Sequence, residues 1–157
     1  MLEDRPAVLV SACLLGVACN HKGGASPSPE VSRLRSSHRL IAVCPEVAGG
    51  LPTPRPAAEI TADGAVRTAE GADVTELYRR GAEQAVAVAR AAGVTGAVLK
   101  ARSPSCGSHR VYDGTHTRVL VAGQGVTAAA LRAAGVPVCS EEDLGGPGPI
   151  PWTTPGA

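Results

Sequence analysis

Five cysteines, at positions 13, 19, 44, 106 and 139, are spread through this 157-residue chain. Their number is odd and no two are closely paired, so they do not form a disulfide framework. In a reducing compartment such thiols serve metal binding, catalysis or packing. The most unusual setting is "ARSPSCGSHR", residues 101–110, where Cys106 stands among serines, a proline and a glycine. A cysteine kept for packing belongs in apolar surroundings, so Cys106 reads as presented to a partner. Cys13 and Cys44 follow the apolar runs "PAVLVSAC" (6–13) and "RLIAVCPE" (39–46). Three thiolates around one open position describe either a catalytic zinc or a cubane iron–sulfur cluster with one free iron. No CxxC pair selects between them, and packed thiols that fall by chance at strand ends remain an alternative. Cys139, in "VPVC", reads as a packed thiol, whereas Cys19, in "GVACNHKGG", is an auxiliary group without an evident partner.

Charged and glycine-rich neighbours extend the pattern. Glu46, two residues after Cys44, is placed to act as a general acid or base beside a metal edge, or else to hydrogen-bond the Gly49-Gly50 loop. Arg55 is held stiffly between Pro54 and Pro56, a mounting suited to an anionic ligand such as phosphate, or to a pair with Glu59. Lys100 ends an apolar run, as an edge residue or a ligand charge. In "GQGVTAAALR" the amides from Gly125 onward can cradle a phosphate at a helix start. The four histidines, at 21, 38, 109 and 116, form no metal-binding pattern and read as surface groups.

These groups need a frame, and the hydrophobic pattern predicts one. The runs at 6–13 and 39–46 and the segment 93–103 are buried strands, followed by a short strand in "VPVCS". A helix is predicted from Asp73 or Thr75 to Gly93, with Asp73 and Glu76 at its start and Leu77, Ala82, Ala85, Val86 and Ala89 on its apolar face. A second runs through 125–135 with Thr127 as cap and Gly135 as stop. A weaker crossover helix follows Pro29. This alternation gives an α/β fold: one compact domain with a Rossmann-like, open, mostly parallel sheet flanked by helices. Its carboxyl edge would gather Cys13, Cys44 and Cys106, where such folds place ligands. The Gly- and Pro-rich stretch 45–72 reads as a functional loop. The domain is expected over 1–143, with a flexible Gly/Pro-rich tail at 144–157.

Composition narrows the function. The chain is 44% hydrophobic and 18% charged, with no Phe and a net charge of +1. No broad positive field is available for nucleic acid or an anionic membrane, and no apolar run spans a bilayer. The expected location is the cytoplasm.

The strings "VSACLLG", "CPEVAGGLPTPRPAAEI", "DVTELYRRGA", "AVLKARSPSCGS", "VYDGT" and "GQGVTAAALRAAGVPV", in this order over residues 8–142, resemble the thiouracil desulfurase family. The resemblance implies a [4Fe-4S] cluster held by Cys13, Cys44 and Cys106, with its fourth iron open to the sulfur of a thiolated pyrimidine. It further implies that Glu46 manages protons on an attacking water and that Ser103 orients the base or relays a proton. The expected substrate is 2-thiouracil, 4-thiouracil or 4-thio-UMP, with Arg55, Lys100, Ser105 and the Gly125 amide as binding groups. The alternative is a non-catalytic metal- or nucleotide-binding module. Two strings depart from the family pattern: "CNHKGG" replaces the usual "CRYDGG", and His116 replaces the usual Phe of "YDGTF", changes that bear on base stacking. No appended domain of the kind linked with thiolated transfer RNA is present in this sequence, which favours a small substrate.

Overall fold

The β-branched runs fold as their pattern requires. β1 (Ala7–Ser11) and β2 (Arg39–Val43) are the first two strands of the computed structural model, which describes residues 2–144 and 150–152. Pro29 opens α1 (Pro29–Arg33), whose start is capped by the Ser28 hydroxyl accepting from the Val31 amide. After β2 comes the four-residue α2 (Pro45–Ala48), then an antiparallel hairpin of β3 (Ala58–Ile60) and β4 (Val66–Thr68). The stretch expected as a loop therefore carries structure. α3 (Thr75–Ala92) ends at Gly93, whose φ of 61° is the left-handed stop the sequence predicts. Asp73 accepts from the Thr75 amide at 2.9 Å, while Glu76 pairs with Arg79 instead of capping.

β5 (Gly96–Leu99) is followed by a second hairpin, β6 (Arg110–Tyr112) and β7 (Leu120–Ala122), then α4 (Val126–Ala133) and β8 (Val138–Ser140). The main sheet has the order β2-β1-β5-β8 and every pairing is parallel. Leaving β1, the chain moves first to one side and then, through β5, to the other. The point of reversal lies between β1 and β5, where an open α/β sheet leaves a crevice at its carboxyl edge.

Strand alternation sorts the core into two layers. Leu9, Ala97 and Leu99 join Ala85 and Ala89 of α3 and Leu131 of α4 on one face. Val8, Val10, Val98 and Cys139 join Val31 of α1 on the other. Residues 145–149 and 153–157 of the tail lie outside the described residues. Between them, Ile150 belongs to the second layer, and Trp152 covers Gly96 so closely that a Cβ there would lie 2.3 Å from its ring. Small residues let α2 and α3 touch: a Cβ on Gly49 would meet the Leu77 carbonyl at 2.0 Å, and one on Gly81 the Pro45 carbonyl at 1.9 Å.

Candidate functional site

A cavity of about 710 Å³ opens at the carboxyl edge of β1, β2 and β5, and Cys13, Cys44, Cys106, Glu46 and Ser103 all line it. Each comes from the segment directly after a strand. Cys13 lies in a 3-10 turn, Ala12–Leu15, that Gly16 stops with a φ of 94°. Cys44 is the N-cap residue of α2, with Pro45 in the first helical position, so Glu46 falls in the first turn beside it. Cys106 stands in the loop after β5. Cys19 also reaches this cavity, and its backbone carbonyl accepts from the Cys44 thiol at 3.7 Å. Cys139 does not, since it is packed in the second core layer.

Burial leaves Cys13 and Cys106 reluctant to ionise alone. It pushes Cys13 up to about 11, with the neighbouring Cys44 adding to the effect and Lys100 opposing it. It pushes Cys106 up to about 12, against hydrogen bonds from the Ser11 and Ser105 hydroxyls that favour the thiolate. Several buried sulfurs that oppose one another's ionisation want a shared cation, whose binding would expel their protons. Among the described residues, no three Cys, His, Asp or Glu side chains converge as ligands of a single ion would. Thiols ranged around a cavity suit a polynuclear iron–sulfur group, in which each thiolate holds its own iron, better than a lone zinc.

The loop bearing Cys106 is fixed from inside. The Ser103 hydroxyl oxygen accepts from the Ser105 and Cys106 amides at 3.1 and 3.0 Å, and Gly107 N donates to the Ser103 carbonyl at 2.8 Å. Ser103 lines the cavity, and among the described residues its hydroxyl hydrogen has no protein acceptor. Ser105 is placed differently from the expectation of a substrate contact: it is 1% exposed, with its hydroxyl 2.9 Å from that of Thr127. Thr127 is thus no helix cap. The first amides of α4 are met by carbonyls of the cysteine loop, Gly125 N to Gly107 O, Val126 N to Pro104 O and Thr127 N to Ser105 O, all within 2.9 Å. Gly125 therefore has no amide left for a phosphate. Its missing side chain lets the loop lie against it, since a Cβ would sit 2.4 Å from the Ser105 carbonyl. Gly107 likewise permits a close approach, to the Arg110 and Ser103 carbonyls rather than to the cavity.

The charged groups are paired. Arg55 Nε donates to Glu46 at 2.5 Å, and its other nitrogens reach the carbonyls of Cys19 and Pro52 and the Thr53 hydroxyl. Glu59, the protein partner expected for it, does not hold it. Glu59 instead accepts from the Gly114 and His116 amides, with the His116 ring 3.5 Å away. Buried turn amides need an acceptor, and this carboxylate supplies it. Lys100 lines the cavity and pairs with Glu141 at 3.1 Å. Tyr78 of α3 is 3% exposed and lines the cavity together with Glu46, and burial with the carboxylate's charge pushes its phenol far above the usual range. Sequence reasoning missed Tyr78 and Ser11. The signal was there for Tyr78, a lone phenol on a Gly/Ala helix face, because a buried tyrosine needs a partner for its hydroxyl.

Comparison with known proteins agrees with this geometry. A solved structure described as a [4Fe-4S]-dependent thiouracil desulfidase, TudS, superposes with a TM-score of 0.83 at 46% identity, over 89% of this chain and 93% of that one. A Bacillus subtilis (strain 168) protein named YbbK, itself uncharacterized, is 40% identical over 146 residues, 87% of this chain and 97% of its own. The family model for 2-thiouracil desulfurase matches residues 8–143, and the chain belongs to that family.

Proposed function

We propose that this chain is a [4Fe-4S]-dependent, non-redox desulfidase that removes sulfur from a thiolated uracil, as base or nucleotide, and leaves a carbonyl and sulfide. The observation that carries this reading is the meeting of Cys13, Cys44 and Cys106 with Glu46 and Ser103 around one cavity at the sheet's carboxyl edge. A cluster bound by the three thiolates would supply one iron without a protein ligand, a Lewis acid for the thiocarbonyl sulfur. Glu46 takes a proton from the water that attacks the ring carbon, so that water's oxygen becomes the new carbonyl and sulfur departs as hydrogen sulfide. Ser103, whose oxygen is occupied by two amides, turns its hydroxyl hydrogen to an acceptor on the base. Burial of the carboxylate against Arg55 and Tyr78 limits the water that reaches it.

Among the described cavity-lining residues, Lys22 and Arg118 are exposed cations without a carboxylate partner, and a nucleotide's phosphate would lie against them. Arg55, Lys100 and Gly125 are engaged elsewhere. We assign the enzyme to the cytoplasm, with a small-molecule partner. No described helix is long and apolar enough to cross a membrane.

A second reading follows from Cys19, which lines the same cavity and whose backbone carbonyl accepts from the Cys44 thiol at 3.7 Å. Four thiolates would close the cluster and leave a non-catalytic binding module. Anaerobic reconstitution separates the readings. The desulfidase is expected to bind about four irons per chain and to release sulfide from 2-thiouracil or 4-thio-UMP. Cys19→Ala is expected to keep the iron. An iron-free protein overturns the proposal, and loss of iron in Cys19→Ala favours the closed module. Glu46→Gln is expected to retain the iron while sulfide release falls by about 10²-fold or more.

A further inference from the structure

We infer that Arg55 and Tyr78 are positioning residues for Glu46, and that Arg55 joins the carboxylate to the Cys19 loop as one rigid cavity wall. The inference rests on the role of Glu46 proposed above and deepens it. Arg55 has five N–H donors in a planar fork. Nε meets Glu46 at 2.5 Å, one terminal nitrogen meets the Pro52 carbonyl at 3.2 Å and the Thr53 hydroxyl at 3.1 Å, and the other meets the Cys19 carbonyl at 2.8 Å. Its backbone amide donates to the His21 carbonyl at 2.8 Å. The side chain is 4% exposed and that of Glu46 is 12% exposed. Four of the five donors are thus taken by protein acceptors, and the charge is matched by Glu46. What the guanidinium fixes is the carboxylate and the loop facing it.

Tyr78 supplies the second anchor from a different element. α2 lies on α3 through Gly49 and Gly81, and Glu46 and the buried Tyr78 line the same cavity. The carboxylate is therefore tied to the β3 entry by Arg55 and neighboured on α3 by Tyr78. Its short helix, four residues long, could not set its direction alone. A general base earns its rate from placement, and a shift of about 1 Å in such a group lowers the rate by about 10²-fold.

Kinetics, iron content and thermal unfolding of Arg55→Ala, Arg55→Lys, Tyr78→Phe and Glu46→Gln test this. Arg55→Ala is expected to keep its iron and lose about 10- to 100-fold in kcat with KM within about threefold of the parent. Arg55→Lys should regain part of that loss through its single charged donor. Tyr78→Phe, which removes one oxygen, is expected to lower kcat by about three- to tenfold. In the cluster-free protein, Arg55→Ala and Glu46→Gln together should lower the unfolding midpoint by less than the sum of the two alone. A raised KM with unchanged kcat in Arg55→Ala would make Arg55 a substrate ligand and overturn the inference, as would strictly additive midpoints. Should Arg55→Ala fail to fold, an unchanged kcat in Tyr78→Phe overturns it. If the parent releases no sulfide, the desulfidase reading fails, and the midpoint coupling still decides whether Arg55 holds Glu46.

Discussion

Cys106, in the loop after β5, and Cys139, in the neighbouring strand β8, are both buried, and burial pushes both thiols up to about 12. They lie in opposite core layers. Around Cys106, the Ser11 and Ser105 hydroxyls favour the thiolate, and the residue lines a cavity shared with three further cysteines. Around Cys139, after burial, the charges of Asp143 and Glu141 oppose ionisation, and Val8, Val10 and Val98 share its layer. Similar burial and a similar upward push on both thiols thus accompany the unlike roles proposed for them. What would separate a ligand from a packed thiol is the company of donors and a cavity, and neither is visible in the cysteine itself.

The largest break in that comparison should come from the cysteines themselves. Cys106→Ala is expected to reduce iron from about four per chain to less than about one, read by iron and acid-labile sulfide analysis, and to end sulfide release. Cys139→Ala should leave iron unchanged; its loss there would mean the two cysteines had been given the wrong roles. Next in size is Gly125→Ala, which drives a methyl group into the loop behind Cys106 and should cost about 1–3 kcal/mol in denaturant unfolding, with weaker iron retention. Ser11→Ala should leave the cluster in place and move its reduction midpoint, because hydrogen bonds to a ligand sulfur tune that potential. An unchanged midpoint would show the hydroxyl to be structural only. The smallest effect is Cys139→Ala on stability, about 1 kcal/mol for a trimmed core side chain.

Much of this arrangement was legible in the residues. β-branched runs ending in small polar residues place Cys13 and Cys44 at strand ends, and the odd polarity around Cys106 marks it as presented. α3 was legible from its spacing and from Gly93. The two hairpins were not, because strands of three residues carry too little alternation to register. Nor was the pairing of Arg55. Glu59 stands nearer to Arg55 along the chain than Glu46 does, yet the Gly114 and His116 amides claim Glu59 across 55 and 57 positions. The phosphate cradle expected at Gly125 failed for a related reason: the amides of a helix start do not wait for a ligand when a neighbouring loop offers carbonyls.

The order of the strands has a consequence in time. β1 and β2 pair with each other, whereas β5 joins on the other side of β1 and carries Cys106 with it. About 60 positions separate Cys44 from Cys106, so on a ribosome moving at about 5–20 residues per second the third thiol follows the second by about 3–12 seconds. During that interval the nascent chain holds Cys13, Cys19 and Cys44 without the segment that completes their enclosure. A cluster held by Cys13, Cys44 and Cys106 could therefore be completed only after the segment beyond β5 has been made.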